Sequence, residues 1–167
     1  HTFGGTSSGN YSAQAMAQTT DGGCIVTGYA SANVATLGGQ TPLNAYTSSV
    51  NYWTVKYSSA GAVQWHTFAG ATGGQFGRAV IQTNDGGYAV AGNASANVAS
   101  LGGFSPLNAY SASDDFWLIK YSSLGAVEWH TFSGGANLQQ IKSLAQTSAG
   151  SYVLAGSSSG NVSALGG

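Results

Sequence analysis

The sequence predicts an all-β fold of tandem four-stranded antiparallel blades, arranged as in a propeller or as a stacked β-repeat array. Three observations predict it: an internal repeat of 64 residues, apolar residues that alternate with a period of two, and Asp-Gly pairs between strand-like runs. Alternation with a period of two is typical of half-buried strands, and no stretch shows the period of an amphipathic helix. Repeats that cover one another's faces are typical of propellers and solenoids.

The repeat occurs in three consecutive segments, which are residues 1–65, residues 66–129 and the truncated segment 130–167. Each segment opens on HTF and later contains a related strand-turn-strand string: AQTTDGGCIVTG, IQTNDGGYAVAG or AQTSAGSYVLAG. The first two copies continue through PLNAY to NYWTVKYSSAGAVQW and DFWLIKYSSLGAVEW, whereas the third ends before that point. We therefore expect one continuous array of about 2.6 repeats rather than separate domains.

The first two strands of each repeat form a predicted hairpin. In the first copy, strand one runs near Ala13–Thr19, with small apolar residues alternating along it, and strand two covers Cys24–Gly28. Strand two is apolar on both faces, which indicates a sheet that is covered on both sides. An Asp-Gly pair separates the two strands and predicts a type I′ turn, with positive φ at both residues. The hairpin-forming residues in the two complete copies are Asp21, Gly22, Asp85 and Gly86.

The third and fourth strands form a second predicted hairpin. Strand three covers Tyr52–Tyr57, where Trp53 and Val55 share a face, and strand four covers Ala62–Phe68. The SSAG segment between them is a turn signal, since serine and glycine favour turns for separate steric and hydrogen-bonding reasons. Between strands two and three lies a stretch of about twenty residues, a length that is usually functional or a packing insertion.

Composition excludes several functional classes. Only 5% of the residues are charged and the formal net charge is −1, so we do not expect the protein to bind nucleic acid. No apolar run reaches the ~20 residues of a membrane-spanning helix. Cys24 is the single cysteine and is expected to be an inert core thiol. The chain shows no catalytic motif, no metal-ligand spacing and no cofactor signature, so we expect no enzyme activity, no metal and no cofactor.

The string QTNDGGYAVAG, followed by DDFWLIKYSSLGAVEWHTFSGG, resembles a repeat of secreted bacterial and archaeal proteins. That family places a DGG hairpin before a YxVAG strand, then a DFWLIK strand, a strand ending in Trp and a Gly-Gly pair. The resemblance covers nearly the whole chain and implies propeller-like blades in an extracellular or cell-surface protein. It implies no catalytic residue. Two features depart from the family pattern: the long segment 31–50, and Ala149-Gly150-Ser151 in place of Asp-Gly-Gly.

Fewer than three repeats leave sheet faces that something must cover, because blades cannot bury their faces alone. We expect copies of the chain to assemble head-to-tail, with a neighbour's strands completing the partial blade. The sequence thus favours a structural subunit of an extracellular filament or surface assembly. The alternative is a multivalent carbohydrate-binding propeller, as in a lectin or adhesin.

Sugar is the second expected partner. Three Asn-x-Ser sequons and two Thr/Ser-Pro sites are candidate points for covalent glycans, which would keep an almost uncharged surface soluble. These candidates are Asn10, Asn93, Asn161, Thr41 and Ser105. Under the carbohydrate-binding alternative, the loop residues Tyr46 and Tyr110 are the candidate ligand contacts.

Overall fold

The computed structural model describes residues 9–47, 49–111, 113–135 and 139–159, and all regular structure in them is β. The strands are β1 (Tyr11–Gln18), β2 (Cys24–Ala30), β3 (Asn51–Tyr57), β4 (Val63–Ala69), β5 (Gln75–Gln82), β6 (Tyr88–Ala94), β7 (Asp115–Tyr121), β8 (Val127–Ser133), β9 (Gln139–Gln146) and β10 (Tyr152–Ser158). The predicted fold class is therefore confirmed.

Each sheet is an antiparallel meander. Blade 1 has the strand order β1-β2-β3-β4, blade 2 has β5-β6-β7-β8, and blade 3 contains β9 and β10. The HTF segments that open the second and third sequence repeats lie in β4 and β8, the last strands of blades 1 and 2. The blade is thus offset from the repeat as read from the sequence, and each HTF segment closes a sheet.

The DGG hairpin forms, but its turn is not type I′. Gly22 has a φ of 79°, whereas Asp21 is not among the residues with positive φ. The Gly22 amide donates to the Thr19 carbonyl at 2.9 Å, and the Thr19 amide donates to the Gly23 carbonyl at 3.0 Å. This is a three-residue loop ending in a left-handed glycine, the next most common hairpin after the two-residue types. The prediction of a type I′ turn was wrong because the loop contains one more residue than that turn allows.

The third copy builds the same turn without the aspartate. The Gly150 amide donates to the Thr147 carbonyl at 3.0 Å, and Gly150 has a φ of 91°. The glycine alone is therefore sufficient for the backbone path, because only glycine adopts this φ at no steric cost. The aspartate of the first two copies must have a further role.

A glycine is required where β2 passes the bulge of β1. The β1–β2 register shifts between Ala13 and Ala15, and a Cβ built on Gly28 would overlap the Ser12 carbonyl. The same overlap occurs at Gly92 and Gly156 in the other blades. Close approach of two backbones at a bulge explains the glycine in VTG, VAG and LAG.

Neighbouring blades pack face to face, as in a β-propeller. Strand β5 contacts β1, β2 and β3, and β9 contacts β5, β6 and β7 in the same manner. We call the face of a blade that points to the preceding blade its leading face, and the opposite one its trailing face. The leading-face positions in blades 1, 2 and 3 include Met16, Val80 and Leu144. The equivalent trailing-face positions are Ile25, Ala89 and Val153.

Candidate assembly surface

The long segment between the second and third strands is folded onto its own blade. In blade 1, the Leu43 amide donates to the His66 carbonyl at 2.9 Å, and the Phe68 amide donates to the Asn44 carbonyl at 3.2 Å. Val34, Leu37 and Tyr46 belong to the same apolar cluster as Trp53 and Phe68. The segment therefore covers the outer part of the leading face and pairs with β4.

A buried histidine connects this loop to the sheet. His66 is fully buried, and its Nδ1 accepts a hydrogen bond from Trp53 Nε1 at 3.3 Å. Its Nε2 lies 3.0 Å from the Gln40 carbonyl oxygen and therefore donates to it. These two partners require the neutral ring with its proton on Nε2. Burial lowers the pKa of His66, although the bond to Gln40 opposes that shift.

Blade 2 repeats the arrangement with equivalent residues. Trp117 Nε1 donates to His130 Nδ1 at 3.1 Å, and His130 Nε2 donates to the Phe104 carbonyl at 2.9 Å. Burial likewise lowers the pKa of His130. We call the two arrangements histidine locks: Trp53, His66 and Gln40 in blade 1, and Trp117, His130 and Phe104 in blade 2. They explain the histidine of HTF as a packing residue.

The candidate ligand tyrosines lie in these loops and are half-buried. The Tyr46 ring packs edge-on against Phe68 at 5.5 Å, and the Tyr46 hydroxyl donates to the Ser49 carbonyl. Tyr110 packs against Phe132 at 5.6 Å and donates to the Ser113 carbonyl. Binding of a carbohydrate by Tyr46 and Tyr110 stays a prediction, which a glycan array would test.

The aspartate of each DGG turn binds a buried lysine. Lys56 in β3 is 1% exposed, and its Nζ lies 2.8 Å from Asp21 Oδ2 and 3.0 Å from Gln64 Oε1. In blade 2, Lys120 Nζ lies 2.9 Å from Asp85 and 2.8 Å from Glu128. Both lysines also donate to the carbonyl of the following tyrosine. A buried ammonium requires such partners, since an unpaired one would be costly.

The same contacts act on the carboxylates. Hydrogen bonds from Lys56 and Thr19 hold the pKa of Asp21 well below its usual range. Bonds from Thr83 and Lys120 do the same for the pKa of Asp85. The sequence predicts these aspartates only as turn residues, and their ion pairs with the lysines were not predicted. The available signal was the lysine that precedes tyrosine in both YWTVKY and FWLIKY, inside an otherwise apolar strand.

The leading face of blade 1 contains an open apolar cavity of about 480 Å³. Met16, Cys24, Val26, Tyr57 and Gly61 are among the residues that line it. Cys24 is half-buried here rather than enclosed in a core. The cavity marks the part of the face that the loop of blade 1 leaves uncovered.

The same place on blade 2 is filled by a tryptophan of blade 1. Trp65 lies 5.7 Å from the Tyr88 ring and 6.4 Å from the Tyr121 ring, measured between centroids. A Cβ built on Gly125 would lie 2.7 Å from a Trp65 ring atom. Gly61 is the blade 1 equivalent of Gly125 by the repeat. The cavity is therefore the blade 1 counterpart of the socket that Trp65 fills on blade 2.

Exposure differs sharply between equivalent residues at the two ends. Met16 is 69% exposed, whereas Val80 and Leu144 are each 6% exposed. At the other end, Val153 is 53% exposed, whereas Ile25 and Ala89 are fully buried. Each end thus shows an apolar surface of the kind that is covered inside the array.

The candidate glycan sites differ in accessibility. Asn10, Thr41 and Ser105 are exposed. Asn93 is 5% exposed at the joint between blades 2 and 3, where its amide donates to the Gln139 carbonyl. The folded chain leaves no room for a sugar at Asn93, because a glycan there would separate the two blades. Asn161 lies outside the described residues.

Neither a metal centre nor a membrane helix is found in the described ranges. No group of three histidine, cysteine, aspartate or glutamate side chains is placed to hold an ion there. Over the same ranges, no helix is long and apolar enough to cross a membrane.

No protein-family model matches the chain, and no curated protein is significantly similar to it. The resemblance to secreted propeller-like repeats therefore stays a prediction. The fold and the exposed ends define the protein as an all-β repeat array of propeller-type blades.

Proposed function

We propose that this chain is a structural subunit of an extracellular filament or surface assembly, in which copies join head-to-tail through their end faces. The supporting observation is that Met16 and Val153 are exposed. The positions equivalent to Met16 are buried where another blade precedes, and those equivalent to Val153 are buried where another blade follows. Equivalent apolar faces are covered by a neighbouring blade at the two joints inside the chain. The exposed end faces therefore favour a blade of another copy as their partner.

The two ends are different surfaces, and this determines the type of assembly. Met16 and Cys24 form part of the leading face of blade 1, whereas Val153 forms part of the trailing face of blade 3. A contact between unlike surfaces is heterologous, so it forms a ring if the rotation closes and a filament if it does not. The described residues form two four-stranded blades and one pair of strands, fewer than the four to eight blades of a closed propeller.

The extracellular location is supported by composition. Charged residues are only 5% of the chain, and the exposed sites Asn10, Thr41 and Ser105 are accessible for covalent sugar. Sugar on these residues would add hydration that the side chains themselves do not supply. Mass spectrometry of protein from its native source would measure this modification directly.

Sedimentation velocity and electron microscopy test the assembly. We expect the wild-type chain to form concentration-dependent oligomers or fibres. The substitutions Met16→Arg and Val153→Arg each place a charge in one end face and should leave monomers. Leu124→Arg is the matched control, since Leu124 is 79% exposed in the β7–β8 turn, away from both end faces. A wild-type chain that stays monomeric at high concentration would contradict the proposal.

A further inference from the structure

Strand β10 lies at the edge of a two-stranded sheet, and the repeat shows what pairs with such a strand. Among the described residues, the 152–156 stretch of β10 has only β9 as a ladder partner. The equivalent strands β2 and β6 pair along their other edge with β3 and β7. An unpaired edge of this length is a template for an added strand.

The register of that added strand follows from the two complete blades. Trp53 lies opposite Gly28, and Trp117 lies opposite Gly92, so the third-copy position for an indole is opposite Gly156. The lysine position is opposite Val153, because Lys56 pairs with Ile25 and Lys120 with Ala89. If blade 3 were completed like the others, a lysine would be buried beside the 147–151 turn.

Two substitutions in that turn remove the features that accommodate the lysine. The first is the loss of the anion, because Ala149 stands where Asp21 and Asp85 bind Lys56 and Lys120. A lysine placed there would have no carboxylate from the turn. In the blade 1 hairpin the other side-chain partner of the lysine is the uncharged Gln64, so without the turn aspartate the ammonium would be buried with no carboxylate beside it, which is strongly destabilising.

The second is the loss of space, because Ser151 stands where the complete blades have Gly23 and Gly87. A Cβ built on Gly23 would overlap the Tyr57 carbonyl and lie 2.8 Å from Lys56 Nζ. A Cβ built on Gly87 would overlap both Lys120 Nζ and the Tyr121 carbonyl. The serine therefore occupies the volume that the lysine head and the end of strand three take in the complete blades.

We propose that β10 binds a partner strand that differs from β3 and β7: it carries an indole opposite Gly156, an uncharged side chain opposite Val153, and leaves the ladder before Ser151. Blade 3 is thus completed by a segment other than the YWTVKY or FWLIKY strand of a second copy. This inference goes beyond the proposed contact between end faces, because it concerns the strand that can pair with the edge of β10. Blade 3 therefore does not accept the β3–β4 or β7–β8 hairpin of a second copy as its missing strands.

The test uses two synthetic hairpins as probes: the native segment 49–69, in which Lys56 faces the uncharged Gln64, and the same peptide with Lys56→Leu. Each is titrated against the full chain by isothermal calorimetry. The chain carries Met16→Arg in every case, so that face-to-face assembly is blocked and cannot be confused with strand binding. The chain is used either with its own turn or with Ala149→Asp and Ser151→Gly, which copy the turn of blades 1 and 2. Circular dichroism checks that both chains fold.

We expect the chain with its own turn to bind the Lys56→Leu hairpin at least about tenfold more tightly than the native hairpin. The restored turn should reverse this preference and bind the native hairpin more tightly. Equal binding of the native hairpin to both chains would overturn the proposal. Failure of every combination to bind would overturn it as well, because the edge would then not be a docking site.

Discussion

At the residue scale, two buried tyrosine hydroxyls have opposite hydrogen-bonding states. Tyr52 donates to the Trp117 carbonyl at 3.1 Å across the joint between blades 1 and 2. The Tyr121 hydroxyl is equally buried but has no hydrogen-bond partner among the residues that the structure describes. Burial raises the pKa of Tyr121 well above its usual value, so the group is a neutral hydroxyl. An unsatisfied buried hydroxyl destabilises the folded state.

Tyr121→Phe is therefore expected to stabilise the chain by about 1 kcal/mol, whereas Tyr52→Phe should destabilise it by a similar amount. Both variants delete one oxygen from a fully buried ring, so each is the control for the other. Urea unfolding followed by tryptophan fluorescence measures the difference. Equal destabilisation by the two substitutions would show that the Tyr121 hydroxyl has a favourable role.

At the element scale, the histidine locks make the attachment of the long loops dependent on pH. Protonation of Nδ1 in His66 would place two donors against each other, because Trp53 Nε1 already donates to that atom. The folded-state pKa of His66 and His130 is below the 6.5 of an ordinary histidine. The unfolded chain therefore takes up protons first as the pH falls.

We expect the free energy of unfolding to be at its full value above pH 6.5 and to decrease as the pH falls through the folded-state pKa of these histidines. Urea titrations at a series of pH values measure the decrease. In the double variant His66→Gln, His130→Gln, an amide can keep both hydrogen bonds without titrating. A pH dependence in that variant equal to the wild type would assign the effect to other groups.

Much of each element could be predicted from the sequence, and the exceptions have physical causes. Strand positions followed from alternation, which depends only on the period of the backbone. The turn type did not, because one extra residue changes which φ must be positive, as Asp21 and Gly22 show. The Lys56–Asp21 pair was missed because Lys56 lies on β3 and Asp21 in the β1–β2 turn, 35 residues away. Repeat position alone does not reveal such a contact.

At the scale of the whole molecule, unlike ends allow complementary variants to rescue each other. Met16→Arg leaves the Val153 end intact, and Val153→Arg leaves the Met16 end intact. In a heterologous assembly, each variant alone is expected to be monomeric, whereas an equimolar mixture should form dimers and nothing larger. Sedimentation velocity distinguishes these states. Absence of dimers in the mixture would argue against contact between the two ends.

The repeat predicted blades and open ends, but it could not show which residues form the open surface. That distinction depends on burial, and equivalent residues such as Met16 and Val80 have similar character in the sequence. Only their 69% and 6% exposures separate them. The long loop was also ambiguous, because a motif such as PLNAY is equally suited to packing on its own blade or to binding a ligand.

The two unlike end faces give any filament of this chain a direction. Subunits would add at different rates to its two tips, since in the described part of the chain one tip is a four-stranded sheet and the other a two-stranded sheet. A substoichiometric amount of Met16→Arg would bind at a single tip and halt elongation there, while the opposite tip continued to grow.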